Sequence, residues 1–267
     1  MTPRPSGQGL SLAATRSPRW PWLVAGCVAV GGLAVALYLG TRTSSGRVLR
    51  LRQYLSNPAE HADWQLRAGA RCGEAPFLLP TDGYLGFAWG DSFRPGHRHQ
   101  GIDIFGPTGL GQTPVVAAHD GYLTRLPDWR SAVIVRVPDD PLQPGRQIWT
   151  FYTHMADAQG RSFVDEAFPP GTSEQFVRAG TRLGHQGNYS ADPDNPTGMH
   201  LHFSIVRDDG AGRFRNELVF ANTLDPSPYL GIEVNAARLG NALAVCSADS
   251  ALASGQWSVA GGPWPVY

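Results

Sequence analysis

The chain has 267 residues, with 22 Lys+Arg against 22 Asp+Glu and a formal net charge of zero. That length supports one sizeable core plus a further segment, and the balanced charge offers no basic surface for nucleic acid. All of the basic residues are arginine, a bias of composition without functional content, while 32 Gly and 22 Pro suit many short strands joined by turns.

The first predicted element is a membrane span. Residues 20–41 carry no charge and centre on "WLVAGCVAVGGLAVALYLG". At a rise of about 1.5 Å per residue, a helix of this length crosses a bilayer. Trp20, Trp22 and Tyr38 fall where interfacial aromatics belong. Arg16 and Arg19 precede the span and Arg42, Arg47, Arg50 and Arg52 follow it, so charge alone does not orient it. No small-x-small site ends the apolar run, which argues against a cleaved signal peptide. "VAGC", ending at Cys27, resembles a lipoprotein box, but most of the apolar residues follow it, which argues against lipidation.

After the span, "GRVLRLRQYLSNPAEHADWQLRAG" reads as a short amphipathic helix, a break near Asn57-Pro58, and a second helical piece. It is a membrane-proximal linker or a pro-segment. The clearest strands are 132–137, 148–155 and 200–206. No long helical pattern separates them, so the fold is expected to be all-β or β-dominated. No internal repeat is visible. Past Asp225, "PSPYLGIEVNAARLGNALAVCS" reads as cover for the sheet, and the terminal "GQWSVAGGPWPVY" takes no assignable role.

Two histidine motifs carry the chemistry: His99-Gln-Gly-Ile-Asp103 and His200-Leu-His202. In "HLHFSIV", His200, His202 and Ser204 share one parity and Leu201, Phe203 and Ile205 the other, so a strand would put both imidazoles on one face. Their Cα atoms would lie about 7 Å apart, close enough to converge on one site. His99 and Asp103 also share parity, but four strand steps would separate them by about 13 Å, too far for one metal. The chain must bend between them, and Gly101 is where a bend is cheapest. A helix would also align them, but Gly101, Ile102, Ile104 and Gly106-Pro107 argue against one. Two imidazoles and a carboxylate, with a further imidazole beside them, are the ligand set of a catalytic zinc site whose fourth position is open to water.

The order of motifs resembles the lysostaphin/LytM-type zinc metallopeptidases, which cut peptides of bacterial cell-wall peptidoglycan. Their pattern is H-x-x-x-D, then Tyr-x-His in a strand, then H-x-H followed by Phe. Here it reads His99…Asp103, Tyr152-Thr153-His154 and His200-Leu201-His202-Phe203. "TPVVAAHDGYLTRL" resembles the family's strand–turn–strand and "VRAGTRLGHQGN" its turn before the last strand, so the likeness runs from about residue 87 to 206. "NYSADPDNPTGM" before the H-x-H, the segment 161–176 and "PDDPLQPGRQ" are longer than the family pattern and read as loop insertions.

The resemblance implies an antiparallel β-sheet peptidase domain with one zinc in a groove, held by His99, Asp103 and His202. It makes His154 and His200 catalytic, with His200 taking the proton of water and His154 hydrogen-bonding the water or the oxyanion. His97 is a rival ligand whose spacing to Asp103 is wrong for the family. His119 is a turn residue and Tyr152 a core residue, while Asn188, Tyr189 and Asp192 are placed at the cleft by loop position. The implied organisation is a cytoplasmic tail (1–19), a transmembrane anchor (20–41), the linker (42–75), the peptidase domain (76–232) and a C-terminal extension (233–267). The protein is then a single-pass membrane endopeptidase acting outside the cytoplasm on peptidoglycan peptides. Cys72 and Cys246 are expected to pair there. The alternatives are a noncatalytic family member that activates another wall hydrolase, a two-His, one-carboxylate iron enzyme, and a closed structural zinc site with His200 as fourth ligand.

Overall fold

A computed structural model describes residues 45–92 and 96–246. The proposed span at 20–41 lies outside them; among the described residues no helix is long and apolar enough to cross a membrane. Helix α1 (Ser45–Ser56) comes first, followed by a 3-10 segment, Pro58–Trp64. The break falls at Asn57, before the proline that cannot continue a helix.

Ten strands follow: β1 (Tyr84–Phe87), β2 (Ile102–Phe105), β3 (Pro114–Val116), β4 (Gly121–Thr124), β5 (Val133–Val137), β6 (Ile148–Thr153), β7 (Gln175–Val177), β8 (Arg182–His185), β9 (Leu201–Arg207) and β10 (Thr223–Leu224). Short helical turns α2 (Ser227–Leu230) and α3 (Ala236–Leu239) end the described chain. The main sheet runs β1-β2-β9-β6-β5-β4-β7, with β10 also on β9, and every pair is antiparallel. β3 and β8 form a separate ribbon. The β-dominated expectation holds, and its three clearest strands are β5, β6 and β9.

The alternation of the strands divides the sheet into two faces. Leu201, Phe203 and Ile205 of β9, Val133, Val135 and Val137 of β5, and Ile102 and Ile104 of β2 enter one core. The opposite face carries His202, Asp103 and a smaller cluster of Ile134, Trp149 and Val206. Register brings the site together: Asp103 lies directly across from His202, and His202 across from Thr153.

The segments read as insertions are built into the domain. Asp140, fully buried in the β5–β6 connection, accepts hydrogen bonds from the Tyr229 hydroxyl (2.8 Å) and the Arg146 side chain (Nε, 2.7 Å). Phe168 is buried in the main core, and its carbonyl accepts from the buried Arg125 guanidinium at 2.9 Å. The end of the same segment supplies edge strand β7. Residues 233–246 also pack inward: Val234 and Leu239 join the core, and Trp89 pairs with Val234 and Ala236 through backbone bonds of 2.9 Å each.

Cys72 and Cys246 are joined as a disulfide, with Cα atoms 5.2 Å apart and a sequence separation of 174. Closing so long a loop constrains the unfolded chain by about 5 kcal/mol at most. Cys246→Ser should therefore lower the Tm of the folded domain markedly, and reductant should lower that of the wild type to match. Thermal melts with and without reductant check this, and superimposable curves would count against a bonded pair.

Candidate metal centre

His99 precedes β2 and reaches the site because the chain bends at Gln100 and Gly101. Gly101 is required for a second reason. A Cβ there would lie 2.3 Å from the Phe203 carbonyl oxygen and 2.8 Å from His202 Nε2, so any side chain would displace the ring. Asp103 and His202 then meet across the β2–β9 ladder. His99 Nε2, Asp103 Oδ1 and His202 Nδ1 form a triangle: 3.1 Å between the two imidazoles, 3.1 Å from His99 to Asp103, and 2.9 Å from His202 to Asp103. All three residues are buried.

The remaining ring nitrogens settle what this triangle can hold. His99 Nδ1 faces the Ala88 carbonyl at 3.1 Å, and a carbonyl only accepts, so that nitrogen carries the proton. His202 Nε2 faces the Glu217 carboxylate at 2.9 Å and donates to it. Each ring therefore turns a lone pair inward, beside a carboxylate oxygen. Three lone-pair donors at this separation call for a proton or a cation among them. Tetrahedral zinc with bonds of about 2.0–2.1 Å sets its donors about 3.3–3.4 Å apart, a few tenths of an ångström wider than these edges. The donor set fits zinc, and the carboxylate and carbonyl behind the imidazoles are the outer supports that such ligands need.

The local charges agree. Burial pushes the His202 imidazole down, but hydrogen bonds to Asp103 and Glu217 outweigh it and raise its pKa to about 10. Burial pushes Asp103 up, but positive charge on the facing His99 and His200 imidazoles, and protons held between it and His202 or His99 when no cation is present, keep it well below the ordinary carboxylate range. A proton on His202 and a cation at the centre compete for the same lone pair.

Two further imidazoles stand beside the triangle. His200 lies one residue before β9, bridged to Gly187, with Nε2 3.6 Å from Asp103 Oδ1. Its Nδ1 donates to the Gly198 carbonyl at 2.6 Å, and the Phe105 ring stacks on it at 5.0 Å and 24°. His154 follows β6, its ring 4.5 Å from that of His200 and 6.2 Å from that of His202. Its Nδ1 donates to the Tyr189 carbonyl at 2.6 Å. Its backbone has φ of 71°, a left-handed conformation that costs a non-glycine residue about 1 kcal/mol or more and is common where function dictates the side chain. Burial lowers the His154 pKa to about 3, helped by the neighbouring His200 and His202, and burial also lowers His200.

These residues floor a cleft of about 600 Å³. One wall is aromatic, with Trp129, Phe151 and Phe214 in edge or tilted contact at 5.8–5.9 Å. Gln100, Thr197 and Asn216 add polar groups. All five site residues singled out by the motifs line it. Tyr152 instead sits fully buried in the core, its hydroxyl accepting from the Ala118 amide at 2.8 Å. His119 occupies a bend, its Nδ1 against the Asp120 carbonyl. His97 stands outside the triangle, and Asn188, Tyr189 and Asp192 do not line the cleft, although Tyr189 serves it through its carbonyl. Glu217 escaped the sequence reading: "RNELVF" has no spacing to the histidine motifs, and the only available signal was the general need of a metal-binding imidazole for an outer acceptor.

No family model matches this chain, and neither does any curated protein. Solved structures do. The chain resembles LytM-type M23 peptidases. The catalytic domain of lysostaphin from Staphylococcus simulans is 21% identical, over 56% of this chain and 90% of that one, with a TM-score of 0.36. A variant catalytic domain of the prophage-encoded M23 protein EnpA from Enterococcus faecalis is 22% identical, over 57% and 96%, with a TM-score of 0.32. A longer Helicobacter pylori protein is 20% identical with a TM-score of 0.34, and the chain spans 34% of its length. Likenesses at these values assign no role to any residue here.

Glu217→Ala should weaken zinc binding by about 10–100-fold, the usual effect of losing an outer acceptor. Glu217→Gln should cost less, because its amide oxygen still accepts from the ring. Competition with a chelator measures both; wild-type affinity in Glu217→Ala would leave the carboxylate without this task.

Proposed function

We propose that this chain is a zinc metalloendopeptidase that hydrolyses peptide bonds in bacterial peptidoglycan. The observation that carries the reading is the convergence of lone pairs at His99, Asp103 and His202 beside two imidazoles whose Nε2 atoms are also lone pairs. His99, Asp103 and His202 hold the metal. Bound zinc supplies Lewis-acid activation of water and of the scissile carbonyl. His200 Nε2 takes the proton of the attacking water and passes it to the leaving amine. His154, with its proton committed to the Tyr189 carbonyl, presents an acceptor at Nε2. It orients the water in the first step; donation to an oxyanion would need an imidazolium, which burial opposes. The aromatic wall and the polar rim leave room along the cleft for a stretch of peptide. The wall-peptide substrate is proposed by the resemblance of the motifs.

The same reading anchors the chain through residues 20–41 and places the domain outside the cytoplasm. The Cys72–Cys246 bond supports an oxidising compartment.

Digestion of purified peptidoglycan, with mass analysis of the released fragments, tests the activity. His202→Ala and Asp103→Ala should lose both zinc and hydrolysis. His154→Ala and His200→Ala should keep zinc and lose at least about 100-fold in turnover. Zinc retained in the first two would remove them as ligands, and zinc lost from His200→Ala would support the closed structural site.

A pH dependence follows from the depressed imidazoles. A base whose pKa is lowered stays neutral, and so able to accept a proton, as pH falls through 6.5, the ordinary histidine value; a cation at the centre pushes the same way. With zinc saturating, no acid limb of kcat/KM should fall at the ordinary histidine value. An acid limb centred on the ordinary histidine value would show that the bases titrate as free imidazoles.

A further inference from the structure

Helix α1 lines no part of the cleft. Its inner face still reaches the metal centre. Arg47 is 2% exposed, and its guanidinium pairs with Asp91 Oδ1 and donates to the Gly240 carbonyl at 3.1 Å. Asp91 in turn closes a tight turn over 88–91: its Oδ2 accepts from the Ala88 amide at 2.6 Å, and its own amide donates to the Ala88 carbonyl at 3.1 Å. That carbonyl is the acceptor for His99 Nδ1–H. The turn is also zipped to His99 itself, through His99 N–H to the Asp91 carbonyl (2.7 Å) and Gly90 N–H to the His99 carbonyl (2.8 Å). A second route is apolar. Leu51 and Tyr54 of α1 pack in one cluster with Tyr84 and Phe105, and Phe105 stacks on His200.

A buried carboxylate keeps its geometry only while its cation is in place; unpaired, it turns toward whatever donors or water it can reach. Every other hydrogen bond of the Asp91 side chain ends on the turn that orients His99, so Arg47 governs that turn at one remove.

We propose that Arg47 is a positioning residue for the metal centre: through Asp91 and the 88–91 turn it sets the direction of the His99 lone pair, so that helix α1 acts as a brace that tunes zinc affinity. This rests on reading His99, Asp103 and His202 as the zinc site. It gives the membrane-proximal segment a supporting part in place of an occluding one.

The test uses the full-length chain and measures zinc dissociation constants by chelator competition. Arg47→Met should weaken zinc by about 10-fold, the low end for an outer support. Arg50→Met removes the bonds that the same helix makes to the Asn241 carbonyl and to Tyr84, neither of them on the hydrogen-bonded path to His99. It should lower Tm yet leave zinc affinity within about 2-fold, as expected for a side chain away from such features. A loss in Arg47→Met no larger than that in Arg50→Met overturns the proposal. If Arg47→Met does not fold, Arg47→Lys carries the comparison, since an ammonium keeps the charge without the planar fork. The imidazole nitrogen spectrum of His99 in metal-free protein supplies a second readout. One Nδ1–H tautomer is expected in the wild type and a mixture in Arg47→Met; identical spectra overturn the proposal. Neither readout involves hydrolysis, so a wild type that bound zinc but left peptidoglycan intact would sink the proposed activity and leave the brace standing.

Discussion

One interaction recurs at all four histidines of the cleft: a ring N–H is given to an acceptor that the fold holds still. The acceptors are the Ala88, Gly198 and Tyr189 carbonyls and the Glu217 carboxylate. Each bond fixes which nitrogen carries its proton and holds the ring plane, leaving the other nitrogen with a set direction to receive a proton or a cation. Without them the imidazoles would be general-purpose groups able to donate or accept from either side. With them, every ring presents its remaining nitrogen to the cleft, and the rings differ only in where that nitrogen points.

The sheet supplies the rest of the order. Because β9 is central, its inward residues are held by the main core while His202 emerges on the opposite face, directly across from Asp103. A slip of one residue between β2 and β9 would send the carboxylate to the wrong face of the sheet. The apolar half of each strand thus specifies the position of the polar half, and Ile102, Ile104, Leu201 and Phe203 serve the site without touching it.

What was legible in the sequence follows the same division. The H-x-H parity, the need for a bend near Gly101 and the strands around them are local properties, and local properties survive into the fold. The Cys72–Cys246 pair was reachable because few cysteines were left to choose among. Glu217 was not, because a carboxylate fifteen residues beyond a histidine in a strand could face anywhere until the 208–217 connection is built. The three carbonyl acceptors were beyond reach for a plainer reason: every residue has one. The long segments 138–147 and 161–176 looked like tolerated loops by length, yet Asp140, Arg125 and Phe168 tie them to the interior. A buried charge in a polar stretch reads in sequence like any exposed one.

The pairing of Trp89 with Val234 and Ala236, locked by a disulfide across a sequence separation of 174, also has a bearing on timing. The turn that aims His99 lies near the start of the domain, and the segment that pairs with it lies near the end of the described residues. As the chain is synthesised, His99 appears long before the segment that steadies its turn. A chain that stops short of Val234 and Cys246 would therefore carry all four histidines of the cleft without the segment and the bond that steady the His99 turn.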